Sequence, residues 1–114
     1  MSVRPPSSLG SGSVSDVLFD ALGHEILAEK ASALGRAGER AAACLARLDA
    51  YGSGREGGGT VTEHDSQRGL LLKDAVEAVY AFFIQRELCG LRRHEAVIRE
   101  LGIPREVLVR LGAR

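Results

Sequence analysis

Aromatic residues are scarce in this chain. It has no tryptophan, and only three phenylalanines and two tyrosines among 114 residues. With about 45% apolar residues and no Trp, a real but modest core is possible. Its two cysteines, Cys44 and Cys89, stand apart, with no CxxC and none of the dense framework that staples small secreted domains. They read as small apolar side chains in a reducing compartment. Net charge is missing too: 15 basic residues balance 15 acidic ones, so no overall field draws in nucleic acid or an anionic membrane. Nor is there a long apolar run. The longest uncharged stretch of the helical body covers residues 78–85, well short of the ~20 residues that a membrane span needs. The opening MSVRPPSSLGSGSV has no signal-peptide core. We therefore expect a cytoplasmic protein with no membrane partner. The Pro, Ser and Gly content predicts a disordered lead-in over residues 1–14, followed by a single domain over residues 15–114.

What is present is helical pattern. Ser15 or Asp16 can cap a helix N-terminus. From there to residue 50 there is no proline, and Ala, Leu, Glu and Arg dominate; these residues lose little side-chain freedom in a helix. Leu27, Ala31, Leu34, Gly38, Ala41, Leu45 and Leu48 alternate steps of four and three, a continuous heptad seam. Ala and Gly take three of those seven places, so whatever packs on the seam must come close. The glycine-rich YGSGREGGG predicts a flexible loop over residues 51–60. Thr62 with Asp65 then has capping-box spacing. A second helix should follow to about Cys89, with Leu72, Val76, Val79 and Phe83 inside, Leu71, Ala75, Phe82 and Leu88 beside them, and Gly90 as its stop.

Two short helices should close the chain. Leu91, His94, Ile98 and Leu101 stripe the first, ended by Gly102. Val107, Leu108 and Leu111 stripe the second, with Pro104 at its entry. No segment alternates with period two, and no internal repeat is visible. The expected class is all-α, a long helical hairpin plus two short C-terminal helices. A straight helix over residues 16–50 would be about 50 Å long. A 100-residue globule is only about 34 Å across, from a radius of gyration near 13 Å. The helix must therefore kink near Gly23, Gly35 or Gly38, or be covered by a second copy. A hairpin buries one side of each helix, so a homodimer forming a four-helix bundle is the expected assembly.

The charges, balanced overall, are unevenly placed. Residues 1–64 hold six basic and eight acidic side chains, residues 85–114 seven basic and four acidic. Around the glycine of IRELGIPREVLVRL the apolar spacing matches a helix-turn-helix, in which Arg105 and Arg110 would face DNA. Against that, Ile98 stands where a small residue belongs, Val109 falls on the reading face, and the second helix ends at Gly112. Two helices docking on a bundle would show the same spacing. The histidines each precede an acid, as His24-Glu25, His64-Asp65 and His94-Glu95, and neighbours about 100° apart on a helix do not share a ligand face. Asp20 and His24 could share one metal, but two ligands are too few, and no HExxH, GxSxG elbow or phosphate loop is present. We expect no metal, no cofactor and no catalytic residue. A polar pocket, if the protein has one, should lie around Arg86, Glu87, Arg93 and His94, which flank the Gly90 break.

The run QRELCGLRRHEAVIRELGIPREVLVRLG (residues 85–112), with GHEILAEKASALGRAGER (residues 23–40) upstream, resembles a family of short bacterial proteins of unknown function, chiefly alphaproteobacterial. That resemblance implies a helical fold and carries no activity, cofactor, substrate or site residue; the loop of residues 52–59 is longer and richer in glycine than the family pattern. The expected role is non-catalytic, through protein–protein contact, with a homodimer first. The competing readings are a helix-turn-helix DNA binder using Arg105 and Arg110, and a small-ligand binder or enzyme with a site near Arg86 and His94.

Overall fold

The computed structural model describes backbone over residues 5–53 and 61–112, and side chains over residues 13–52 and 65–112. Helix α1 is Pro5–Ser53, α2 is Val61–Leu88, α3 is Glu95–Leu101 and α4 is Arg105–Gly112. No strand occurs among the described residues. The class is all-α, with two long and two short helices in the expected order; α3 begins only at Glu95, so Leu91 and His94, expected on its stripe, precede the helix, and Leu91 is exposed. None of the helices is long and apolar enough to cross a membrane. Most of the 51–60 loop lies outside the described residues; its first three positions continue α1.

Contacts divide the chain into two units, Met1–Ser32 and Ala33–Arg114. In the first unit the helix begins at Pro5 rather than at Ser15 or Asp16. Proline suits a first turn, where its fixed φ is helical and its missing N–H would have no partner anyway. The lead-in expected over residues 1–14 thus falls partly outside the described residues, with helical backbone over the rest. The helix runs without a break through Gly23, Gly35 and Gly38. Leu27 and Ala31, expected in the buried seam, lie in this unit and are exposed, Leu27 to 65%.

The second unit holds the core. Ala41, Cys44, Leu45 and Leu48 of α1 pack with Leu72, Ala75, Val76, Ala78 and Val79 of α2, and with Ile103 and Val107. The two helices come close at Gly38, where a Cβ would stand 3.1 Å from Cε1 of Phe82. The close-packed seam is therefore real over its second half, and its covering partner is α2 of the same chain. Phe82, Phe83 and Leu71 rim this core half-buried. Leu88, expected beside the inner stripe, is instead 60% exposed. It lies in the last turn of α2, where the chain already turns away.

Both turns that follow are built by glycine. At Gly90 (φ 86°) the Leu91 N–H donates to the Arg86 carbonyl (2.8 Å) and the Gly90 N–H to that of Glu87 (3.0 Å). At Gly102 (φ 61°) the Ile103 N–H donates to the Ile98 carbonyl and the Gly102 N–H to that of Arg99. Each is a Schellman cap, which satisfies the orphan carbonyls of a helix end and needs a left-handed residue at its corner. The second cap swings Ile103 into the core and leads into α4, whose Val107 is fully buried.

Candidate functional site

The Gly90 turn brings together the four residues picked out by their position beside the break. Arg86 Nε donates to His94 Nδ1 at 3.0 Å, and Arg86 Nη2 donates to the Arg93 carbonyl at 2.7 Å. His94 Nε2 lies 3.1 Å from Glu87 Oε2. A guanidinium can only donate, so Nδ1 must accept; the ring proton then sits on Nε2 and is donated to Glu87. Phe83 supports the ring from below, stacked face to face with centroids 4.2 Å apart and planes 4° from parallel. The Arg86 guanidinium carbon stands 5.9 Å from the centre of the Phe82 ring, within cation–π range.

The cluster is exposed at Glu87 and Arg93 and largely covered at His94, whose side chain is 15% exposed. Arg93 contributes through its backbone carbonyl. Both nitrogens of His94 are engaged, so the ring clasps the end of α2 to the start of α3. It serves α3 in this way instead of by a side-chain cap, which the helix lacks.

The basic pair proposed for DNA is placed differently. Arg105 and Arg110 are both exposed on α4, but five residues apart they point about 140° away from each other. Between them Glu106 is drawn to Arg68 of α2 in a two-point ion pair, with Nη1 to Oε2 at 3.2 Å and Nη2 to Oε1. The Arg68 hydrogen bond holds the Glu106 carboxyl below its ordinary value; burial opposes this in part, and the charges of Arg68 and Arg110 add to the lowering. The same bond raises Arg68. No sequence pattern announced this pair, since its members stand 38 residues apart and neither occupies an apolar stripe.

Two of the concavities beside these groups border the ion pair and the end of α2. One, of about 680 Å³, is bordered by Leu48 and Asp49 of α1, Arg68 and Glu106, and the Gly102 turn. The other, of about 470 Å³, is lined by Ile84, Glu87, Leu88 and Arg92 at the end of α2. No group of three or more His, Cys, Asp or Glu able to hold a metal occurs among the described residues.

Fold and site together define a small all-α protein, a helical hairpin finished by two short helices and carrying a polar clasp at its first turn. The chain belongs to a family of unknown function, DUF6665, which it matches over residues 1–114. No curated protein and no solved structure matches it.

Proposed function

We propose that this protein is a non-catalytic helical protein that acts through protein–protein contact, with a second copy of itself as its first partner. The observation that carries this reading is an exposed apolar face on the first unit. Val14, Val17, Leu18, Phe19, Leu22 and Ile26 are all more than half exposed, and Phe19 reaches 72%. At about 100° per residue they fill an arc of roughly 200° around α1, about twice the width by which an ordinary surface helix faces its core. Scattered exposed leucines need no explanation, but a contiguous face of this size marks an interaction surface. At roughly 100 Å² each, the six residues offer roughly 600 Å² per copy. Two copies then reach the lower end of the range for stable interfaces, about 1,200–2,000 Å² in total.

Charge narrows the choice of occupant. Residues 13–32 carry Asp16, Asp20, Glu25 and Glu29 against Lys30 alone. Such a face is repelled by nucleic acid and by anionic lipid. A protein surface remains, and the chain supplies one at equal concentration. In this reading the hairpins of two copies pair into a bundle of long helices. The thiols of Cys44 and Cys89 fit a cytoplasmic setting.

Solution mass by light scattering, at low and at high salt, tests the reading. A dimer at both salts is expected, because apolar burial survives screening. A monomer at every concentration up to hundreds of micromolar overturns it.

A further inference from the structure

The face on α1 needs a surface to cover it, and the obvious choice, the same face of the second copy, is disfavoured by charge. Pairing two such faces would bring together two segments that each carry four carboxylates and one lysine. Like charges across an interface cost affinity and steer encounter elsewhere. The C-terminal region has the opposite balance, with Arg86, Arg92 and Arg93 against Glu87 around the first turn. Apolar surface is exposed there as well: Ile84 and Leu88 on α2 and Leu91 just beyond it. Ile84, Leu88, Glu87 and Arg92 line an open cleft of about 470 Å³, with room for an aromatic ring.

We propose that Phe19 of one copy seats in the Ile84–Leu88–Arg92 cleft of a second copy. This rests on the self-association reading above and specifies which surfaces meet. Phe19, Leu22 and Ile26 are spaced i, i+3, i+7, the anchor pattern by which an amphipathic helix lies in an apolar groove. Gly23, one turn after Phe19, has nothing within 4 Å of a Cβ position and keeps that flank of the helix low. Phe19 is the most exposed of the large apolar residues, and a buried aromatic anchor is the usual centre of binding energy. Arg92 at the wall of the cleft can lie over the ring and meet Asp16, which stands one turn before Phe19 on the docking helix. Each copy gives one such helix and receives one, so a two-fold axis closes the pair with two equal contacts.

Sedimentation equilibrium of the full chain separates the possibilities. Phe19→Ala is expected to raise the dimer Kd about thirtyfold or more. Ile84→Asp and Leu88→Asp, both at exposed positions, are expected to do the same while the helical signal and melting of the monomer stay intact. Either cleft variant mixed with Phe19→Ala should recover dimer, because one intact contact then forms. Asp16→Arg combined with Arg92→Asp should regain the affinity that each loses alone. Cleft variants that dimerise like the parent, while Phe19→Ala does not, overturn this docking in favour of face-on-face pairing and leave the self-association reading standing. A parent chain that never dimerises overturns both.

Discussion

Gly38 is the position where sequence, packing and stability can be compared most directly. A Cβ built there would stand 3.1, 3.4 and 3.7 Å from three atoms of the Phe82 ring, whereas one at Gly35, on the same helix, meets nothing within 4 Å. Replacing glycine by alanine inside a helix gains about 0.5–1 kcal/mol by restricting the unfolded chain. Gly35→Ala should realise that gain in full. Gly38→Ala receives the same conformational benefit but must displace the Phe82 ring by a few tenths of an ångström. The ring is half-buried, between the core and Arg86, so it can give only in part. We expect Gly38→Ala to fall about 1 kcal/mol below Gly35→Ala, close to the parent. Gly38→Leu overfills the contact and should cost about 1–3 kcal/mol, a drop of roughly 5–20 °C in Tm for a domain of this size. Thermal unfolding followed by helical circular dichroism at one fixed protein concentration reads all three, since self-association would make Tm depend on concentration. The comparison of the two alanine variants is the sharp one, because propensity cancels. Equal Tm values for Gly35→Ala and Gly38→Ala, or a Gly38→Leu variant that melts like the parent, would refute the close packing of α1 on α2.

Other perturbations test the remaining contacts. Val107→Ala removes fully buried atoms that hold α4 to the core and should cost about 2 kcal/mol, read by urea unfolding. Gly102→Ala meets no atom within 4 Å but inherits φ 61°, so a purely conformational loss of about 1–2 kcal/mol is expected; an unchanged midpoint would contradict the left-handed cap. His94→Phe keeps the stack on Phe83 and loses the acceptor for Arg86, whereas His94→Ala loses both, so the alanine variant should be the less stable. The Glu106 carboxyl is held low by Arg68, so its contribution to stability is present above about pH 4.5 and fades as the pH falls through the depressed value. With both side chains more than a third exposed, the pair is worth at most about 1 kcal/mol. Glu106→Gln should flatten the acid limb of the stability profile by that amount, and an identical limb in parent and variant would argue against the pair.

The helices and their stops were legible because they depend on local spacing. The glycines at 90 and 102 end their helices as read, and Ala41, Leu45 and Leu48 are buried as their heptad positions require. The same heptad runs back through Leu27, yet Leu27 is exposed, since periodicity shows that a face is apolar without showing what covers it. The clasp of Arg86, Glu87 and His94 could be anticipated because all three flank one turn, within reach of one another along the chain. Arg68 and Glu106 could not, because they meet only after α4 has been placed against α2. Val97 and Ile103 were likewise absent from the expected stripes, and both are buried. Ile103 reaches the core through the geometry of the Gly102 cap, which helical period alone does not describe.

The distribution of bulk along α1 bears on why the chain should associate at all. In the second unit the helix offers the core mostly small side chains (Gly38, Ala41 and Cys44, with Leu45 and Leu48 as the exceptions), which lets α2 approach closely. In the first unit the same helix carries valines, leucines, an isoleucine and a phenylalanine, and these are exposed. A monomer would thus leave several large apolar side chains of this helix outside. Burial of apolar surface is the main favourable term in folding and in association alike. In the proposed reading, the acidic residues around that face disfavour nucleic acid and anionic membranes while leaving contact with a basic, apolar cleft open. Size, position and charge of the exposed face are thus what support the proposed protein partner, and in that proposal the chain's own C-terminal turn supplies the complementary features.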